Sequence, residues 1–204
     1  MPNSLPKADQ KLIQIVDAAL AEAARKSGAW LVCHKGCTQC CYGPFAINQL
    51  DAARLRKGME ELERNDPKRA AQVRKRAKEA IKRLAANFPG DHETGILSDD
   101  EEAEAGFAEF ANDEPCPALD LETGACDLYE SRPMTCRVFG PPVRSGEENG
   151  LAVCELCYHG ATDEQIAACE MAPDPDNLEE KLNATVEKKS GKRGNTIVAY
   201  CLVD

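Results

Sequence analysis

The chain has 204 residues, of which 43% are hydrophobic and 5% aromatic, and its formal net charge at pH 7 is −10. This length fits one domain, and a core built mainly from alanine and aliphatic side chains favours helices. The acidic charge argues against a general nucleic-acid-binding protein, because phosphate contacts require a positive surface.

The N-terminal segment predicts an amphipathic helix over residues 8–28, where Leu12, Val16, Leu20 and Ala23 share one face. Charged residues recur throughout this segment, so it is neither a signal peptide nor a membrane span. No later segment reaches membrane length either. We therefore expect a cytoplasmic protein with no membrane partner.

Two more helices are predicted, over residues 47–64 and from residue 67 up to Gly90. In the first, Ala53 is among the residues expected to face the core. The second has Asp66 as its N-cap and Pro67 at its first helical position. One face of the second helix is basic, which fits contact with RNA or an acidic partner but is more often a solvated surface.

The remaining elements are shorter. Ser98 and Glu101 have capping-box spacing, which predicts a helix that starts there. A turn at Gly124 between two extended runs predicts a hairpin. Short helices are predicted near Ser131 and from Thr162, another helix over DPDNLEEKLNATVEKK, and a terminal strand over TIVAYCLVD.

Cysteine is the residue type that indicates a function, since the chain has eleven and the stretch VCHKGCTQCCYG holds four of them. In a reducing cytoplasm such thiols are more often metal ligands or reactive groups than disulfides, and an odd count leaves one unpaired. The candidate ligands, mostly within segments 33–43 and 115–157, are Cys33, Cys37, Cys40, Cys41, Cys116, Cys126, Cys136, Cys154, Cys157 and Cys169.

The spacing of these cysteines leaves the number of sites open. The C-x-x-C units that begin at Cys37 and Cys154 would together supply the four thiolates of a closed zinc site. Adjacent side chains such as Cys40 and Cys41 usually point in different directions, which favours two sites or one polynuclear site. Cys169 is either a ligand or a core thiol.

Other residues near the cysteines are weaker candidates. Cys201 lies in an apolar segment and is expected to belong to the core. His34 and His159 neighbour the cysteines, but a surface or hydrogen-bonded role is the commoner one for a single histidine. His92 lies in a polar loop and is not expected to bind a metal.

Two cysteine-bearing stretches, GCTQCCYGPFAINQLDAARL and CPALDLETGACDLYESRPMTCRVFG, resemble the CxxCxxCC (YkgJ-like) family of bacterial zinc- or iron-chelating proteins. The resemblance implies a cysteine-liganded zinc or iron site, with iron as an ion or an iron–sulfur cluster. Flagellin lysine N-methylases are similar in the cysteine block but are longer chains. The matching residues are Cys37, Cys40, Cys41, Cys116, Pro117, Leu119, Gly124, Cys126, Tyr129, Arg132, Pro133, Cys136 and Arg137.

A second resemblance concerns Cys33, Cys37 and Cys40, which have the C-x3-C-x2-C spacing of radical S-adenosylmethionine enzymes. Those enzymes place this motif after the first strand of an α/β barrel. Here a helix precedes it, no βα repeat follows, and Gln39 replaces the usual aromatic residue, so this assignment is disfavoured.

The sequence thus predicts a mainly α protein: a helical single domain, residues 1–204, with a small β-hairpin and cysteine-rich metal-binding loops. A metal ion is the expected partner, with zinc slightly favoured over iron or an iron–sulfur cluster. The alternatives are a metal-cluster enzyme for redox chemistry or methyl transfer, a metal chaperone or sensor, and a metal-free thiol-redox protein. No catalytic residue and no protein partner are indicated.

Overall fold

A computed structural model of the chain describes residues 4–34, 36–145 and 150–203. Within these ranges it has eight α-helices and three two-stranded antiparallel hairpins, which confirms the mainly α fold with small β elements. Among the described helices, none is both long enough and apolar enough to cross a membrane. The described residues up to His34 and Thr135–Thr185 form one compact unit, and those from 36 to Met134 and from Val186 onward form a second.

The helices in chain order are α1 Ser4–Ser27, α2 Gln49–Asn65, α3 Pro67–Leu84, α4 Glu101–Ala108, α5 Met134–Val138, α6 Asp163–Ala168, α7 Leu178–Ser190 and α8 Val198–Cys201. The hairpins pair β1 Gly90–Asp91 with β2 Ile96–Leu97, β3 Leu119–Asp120 with β4 Ala125–Cys126, and β5 Val143–Ser145 with β6 Gly150–Ala152. Short 3-10 helices cover Gly28–Trp30, Gln39–Cys41, Ala85–Asn87 and Tyr129–Ser131.

The first unit contains α1 and a cysteine-rich apolar cluster. Leu12, Val16 and Ala23 are buried on one face of α1, as the helical spacing predicts. The apolar cluster consists of four buried residues, against which six partly buried side chains pack. Its buried members are Cys154, Cys157, Tyr158 and Cys169.

In the second unit, α2, α3 and α8 pack against one another around aliphatic side chains and alanines. The predicted start of α3 is confirmed: the Asp66 carboxylate accepts a hydrogen bond from the Arg69 N–H at 3.0 Å, and Pro67 is the first helical residue. The predicted hairpin at Gly124 is confirmed as β3–β4, with Leu119 opposite Cys126. Cys201 is buried in this core, as expected.

Two predictions about helix faces and caps are wrong. Ala53 is exposed, while the charged Asp51 and Arg54 of the same helix are buried as an ion pair. Asp100, and not Ser98, caps α4, because its carboxylate accepts a hydrogen bond from the Ala103 N–H at 2.8 Å. The negative charge of a carboxylate at this position also interacts favourably with the positive end of the helix dipole.

The terminal segment is not the predicted strand. Val198–Cys201 forms α8, and only Thr196 makes a β-bridge, with Ile47. The residues Ile197, Val198, Ala199, Cys201 and Leu202 are all buried. A short, continuously apolar run fits a strand or a fully buried helix equally well, so its periodicity could not decide between them.

Candidate metal centre

Three cysteine sulfur atoms come together in the first unit. The Sγ atoms of Cys33, Cys154 and Cys157 all lie within 4.8 Å of one another, and Cys33 Sγ is 4.0 Å from Cys157 Sγ. A tetrahedral zinc ion with Zn–S bonds of about 2.3 Å separates its sulfur ligands by about 3.8 Å. Among the described residues, this three-cysteine cluster is the only group of three metal-ligating side chains that is so close.

Backbone hydrogen bonds hold the two segments that carry this cluster. The Cys157 N–H donates to the Cys154 carbonyl at 2.9 Å, which closes the C-x-x-C turn. The Tyr158 N–H donates a hydrogen bond of 3.0 Å to the carbonyl of Trp30, which lies three residues before Cys33 in the chain. The loop of residues 31–34 therefore lies beside a turn more than a hundred residues later in the chain.

Gly140 limits the space around Cys33. Its φ is +122°, and a Cβ atom at this position would lie 3.2 Å from Cys33 Sγ and 3.3 Å from Leu31 Cδ1. The Gly140 carbonyl also accepts the Cys154 N–H at 3.3 Å. A side chain at residue 140 would press directly on one sulfur atom of the cluster, so this position requires glycine.

Solvent reaches the three sulfur-bearing residues unequally. Cys154 and Cys157 are each only 4% exposed, whereas Cys33 is exposed. Trp30 and Phe139 are among the apolar side chains that pack around the buried pair. Apolar surroundings strengthen the attraction between thiolates and a cation, and exposure at Cys33 provides access from solvent.

Tyr158 is a further part of this site. Burial raises the pKa of its phenol, partly opposed by a hydrogen bond with Ser27, so the ring stays neutral beside the cysteines. Its φ of 60° is a left-handed conformation that is rare for an aromatic residue. The strain of about 1–3 kcal/mol is typical of functional sites. Neither Gly140 nor Tyr158 was among the sequence candidates, and only the Gly-Pro pair at 140–141 gave a turn signal.

Other sequence candidates in the first unit lie outside this group. Cys169 is 2% exposed and belongs to the same apolar cluster, but it is not one of the three mutually close sulfur atoms. Cys136 is half-buried on α5. His34 and His159, which neighbour Cys33 and Cys157 in the chain, are exposed.

The second unit has its own group of thiols, which we call the four-thiol cluster: Cys40, Cys41, Cys116 and Cys126. Cys40 and Cys41 lie on the 3-10 helix Gln39–Cys41, and Cys126 lies on β4. The Cys116 N–H donates to the Cys41 carbonyl at 2.7 Å. These sulfur atoms are less close together than those of the three-cysteine cluster. Among the described residues, no three of the four all lie within 4.8 Å of one another.

The thiols of the four-thiol cluster influence each other's charge. A hydrogen bond from the Cys41 thiol, aided by Arg132, lowers the pKa of Cys40 to about 7. The same hydrogen bond and burial raise the pKa of Cys41. Burial, with a smaller effect of Cys126, raises the pKa of Cys116 to about 12. Of the four thiols, Cys40 is therefore the one that loses its proton most readily.

The two C-x-x-C motifs lie in different compact units of the chain. Cys37 and Cys40 belong to the second unit, and Cys154 and Cys157 belong to the first. Cys37 is half-buried. A shared four-thiolate zinc site made from both C-x-x-C units stays a prediction.

Comparison with known proteins agrees with the chemistry of these thiols. The family model of CxxCxxCC, described as "Putative zinc- or iron-chelating domain", matches residues 32–158. The match covers more than half of the chain and includes every candidate cysteine except Cys169. No curated protein and no solved structure matches the chain.

Proposed function

Because the chain belongs to the CxxCxxCC family of zinc- or iron-chelating domains, we propose that it binds one zinc or iron ion through Cys33, Cys154 and Cys157. The observation that carries this proposal is the mutual approach of the three sulfur atoms to within 4.8 Å. Thiolates are soft ligands that select zinc or iron over magnesium and calcium. The donor set therefore fits the metals that the family description names.

Zinc is the favoured occupant of the three-cysteine cluster. The Cys33–Cys157 sulfur separation of 4.0 Å is close to the spacing of about 3.8 Å around a single tetrahedral ion. An iron–sulfur cluster places several iron atoms between its cysteine ligands, which requires wider sulfur separations. When bound, the ion cross-links residues 31–34 to residues 154–157, so that its binding free energy stabilises the fold.

We place Cys169 at the fourth coordination position. It is the remaining buried thiol of the apolar cluster that contains Cys154 and Cys157. Its Sγ has to move toward the other three to complete a tetrahedral site. A closed four-thiolate site supports a structural or storage role, whereas a vacant fourth position supports catalysis.

A second thiolate site is proposed at the four-thiol cluster. The supporting observations are the hydrogen bond between the Cys40 and Cys41 thiols and the backbone hydrogen bond from Cys116 to Cys41. Deprotonation of Cys40 near pH 7 favours metal ligation. Cys37 and Cys136 stay predicted ligands.

The experiment that tests the proposal is elemental analysis of the full-length protein purified without oxygen, with an absorption spectrum after cobalt substitution. Cobalt–thiolate charge-transfer bands report the number of sulfur ligands. We expect Cys33→Ser, Cys154→Ser and Cys157→Ser each to lose the metal of the three-cysteine cluster.

Cys201→Ser is the matched control. Its thiol is buried in the second unit, where it donates a hydrogen bond to the Ile197 carbonyl that a serine hydroxyl can replace. Its metal content should equal that of the wild-type protein. Equal metal loss in Cys201→Ser, or a wild-type protein that binds no thiophilic metal, would contradict the proposal.

A further inference from the structure

The three-cysteine cluster combines an exposed thiol with a buried one at short distance. Cys33 is exposed and lies in residues 31–34, which have no regular secondary structure. Cys157 is 4% exposed, and its Sγ is 4.0 Å from Cys33 Sγ. A disulfide bond of about 2.05 Å requires the two sulfur atoms to approach by about 2 Å. A movement of this size is within reach of a side chain on an irregular loop.

We propose that Cys33 and Cys157 form a redox pair: a peroxide oxidises Cys33, Cys157 closes a disulfide with it, and the cluster releases its metal. The release of metal rests on the proposed function, whereas the formation of the disulfide does not. The site is thereby a sensor in which an oxidant, and not competition by another ligand, removes the ion.

The first step takes place at the exposed sulfur. The Cys33 thiolate attacks hydrogen peroxide, so that an S–O bond forms, the O–O bond breaks and hydroxide leaves. The product is the sulfenic acid of Cys33. Cys154 and Cys157 are shielded from this first reaction, because both are 4% exposed.

The second step uses the neighbouring sulfur. The Cys157 thiolate attacks the sulfur of the sulfenic acid, the S–S bond forms, the S–O bond breaks and a second hydroxide leaves. In total, two thiolates lose two electrons, and one hydrogen peroxide molecule with two protons becomes two water molecules. A dithiol reductant reverses the disulfide and restores both ligands.

Cys157 is assigned as the partner of Cys33 on the contact between their sulfur atoms. The Sγ atoms of Cys33 and Cys157 are 4.0 Å apart, which is already a contact between the two thiols. The alternative disulfide within the C-x-x-C unit would join two residues that peroxide cannot easily reach. The disulfide removes two of the three close sulfur donors, so the remaining site binds the ion weakly.

The test uses full-length protein loaded with zinc in the absence of oxygen and then treated with hydrogen peroxide. Released zinc is measured with a chromogenic chelator, and disulfides are mapped by mass spectrometry after alkylation of free thiols. We expect release of about one equivalent of zinc together with a Cys33–Cys157 disulfide, and rebinding after reduction. The control Cys201→Ser should behave like the wild-type protein.

A trapping experiment separates the two steps in metal-free protein. In the double variant Cys154→Ser/Cys157→Ser, the sulfenic acid of Cys33 has no neighbouring thiol of the cluster and should accumulate as a dimedone adduct at Cys33. In Cys33→Ser, no such adduct should form at Cys157. Zinc that stays bound under peroxide, or a disulfide that joins other cysteines, would overturn the redox pair while leaving the metal site intact. A protein that binds no zinc but forms the Cys33–Cys157 disulfide would refute the proposed function alone.

Discussion

The two groups of cysteines are built in different ways. The three-cysteine cluster draws on an irregular loop and a C-x-x-C turn, and its sulfur atoms approach within 4.8 Å. The four-thiol cluster is carried by a 3-10 helix, a hairpin and the irregular segment at Cys116, near the positive charge of Arg132. Its sulfur atoms interact through charge and a thiol hydrogen bond and are less closely gathered. Density of cysteine along the chain is therefore a poor guide to proximity in space.

Cys33 illustrates the difference. It is four residues from Cys37, yet its close sulfur neighbours are Cys154 and Cys157. The three-cysteine cluster has the sulfur–sulfur spacing that suits a single metal ion. The four-thiol cluster contains Cys40, whose lowered pKa favours a reactive thiolate. We therefore expect the two groups to differ in metal occupancy, in tolerance of substitution and in thiol chemistry.

The largest effect is expected from Cys157→Ser. Loss of this buried ligand should abolish metal binding at the three-cysteine cluster, because only two close sulfur atoms remain. At a free metal concentration 100-fold above Kd, bound metal stabilises the folded state by about 2.7 kcal/mol. The variant should lose this stabilisation, so addition of zinc should raise its Tm by less than it raises that of the wild-type protein. Cys41→Ser, in the four-thiol cluster, should keep the part of the rise that the three-cysteine cluster provides, and complete loss of the rise there would contradict the separation of the two groups.

A smaller effect is expected from Gly140→Ala. The added methyl group meets Cys33 Sγ at 3.2 Å, and the backbone at φ +122° does not suit alanine. We expect a destabilisation of about 1–3 kcal/mol and a weaker zinc affinity, measured by competition with a chromogenic chelator. Gly106→Ala is the control, because its Cβ would meet open space on α4. An unchanged zinc affinity in Gly140→Ala would show that the Cys33 position is not constrained as described.

The pH dependence of alkylation should distinguish Cys40 from the other thiols. A thiol with a pKa of about 7 is mostly protonated at pH 6 and mostly thiolate at pH 8. In metal-free protein, its rate of reaction with iodoacetamide should rise about tenfold over this range and then level off. The raised pKa of Cys116, about 12, keeps that thiol unreactive throughout.

A charge-removing variant tests the contribution of Arg132 to the reactivity of Cys40. Arg132→Gln removes the positive charge that helps to lower the pKa of Cys40, so the plateau should move to higher pH. A rate for Cys40 that continues to rise beyond pH 8 in the wild-type protein would contradict the lowered pKa. Modified residues are identified by peptide mass spectrometry.

The smallest effect is expected from Gly124→Ala. Its φ of +67° lies in the left-handed region, and a Cβ atom would approach the Gly36 carbonyl oxygen at 3.3 Å. The cost should be about 1 kcal/mol, measured by urea denaturation. Because Gly124 lies in the turn of the β3–β4 hairpin, the reactivity of Cys40 should change more than zinc binding at the three-cysteine cluster. A larger change in zinc binding at the three-cysteine cluster than in Cys40 reactivity would show that Gly124 does not support the four-thiol cluster.

Local features of the fold could be predicted from the sequence. Asp66 and Pro67 start α3, and Thr162 and Gln165 form the capping box of α6, because caps depend on residues within one helical turn. The hairpin at Gly124 likewise depends on its own turn. By contrast, α8 depends on burial of nearly every side chain in its segment, which no local pattern reveals.

The sequence by itself determined that the chain is helical and rich in thiols of the type that bind zinc or iron, since composition, caps and cysteine motifs are properties of neighbouring residues. Only the tertiary structure decided that Cys33 joins Cys154 and Cys157, that Gly140 lies against Cys33, and that Tyr158 adopts its left-handed backbone. These relations depend on contacts between segments more than a hundred residues apart. Such contacts form when hydrogen bonds such as Tyr158 N–H to the Trp30 carbonyl and apolar burial bring distant segments together.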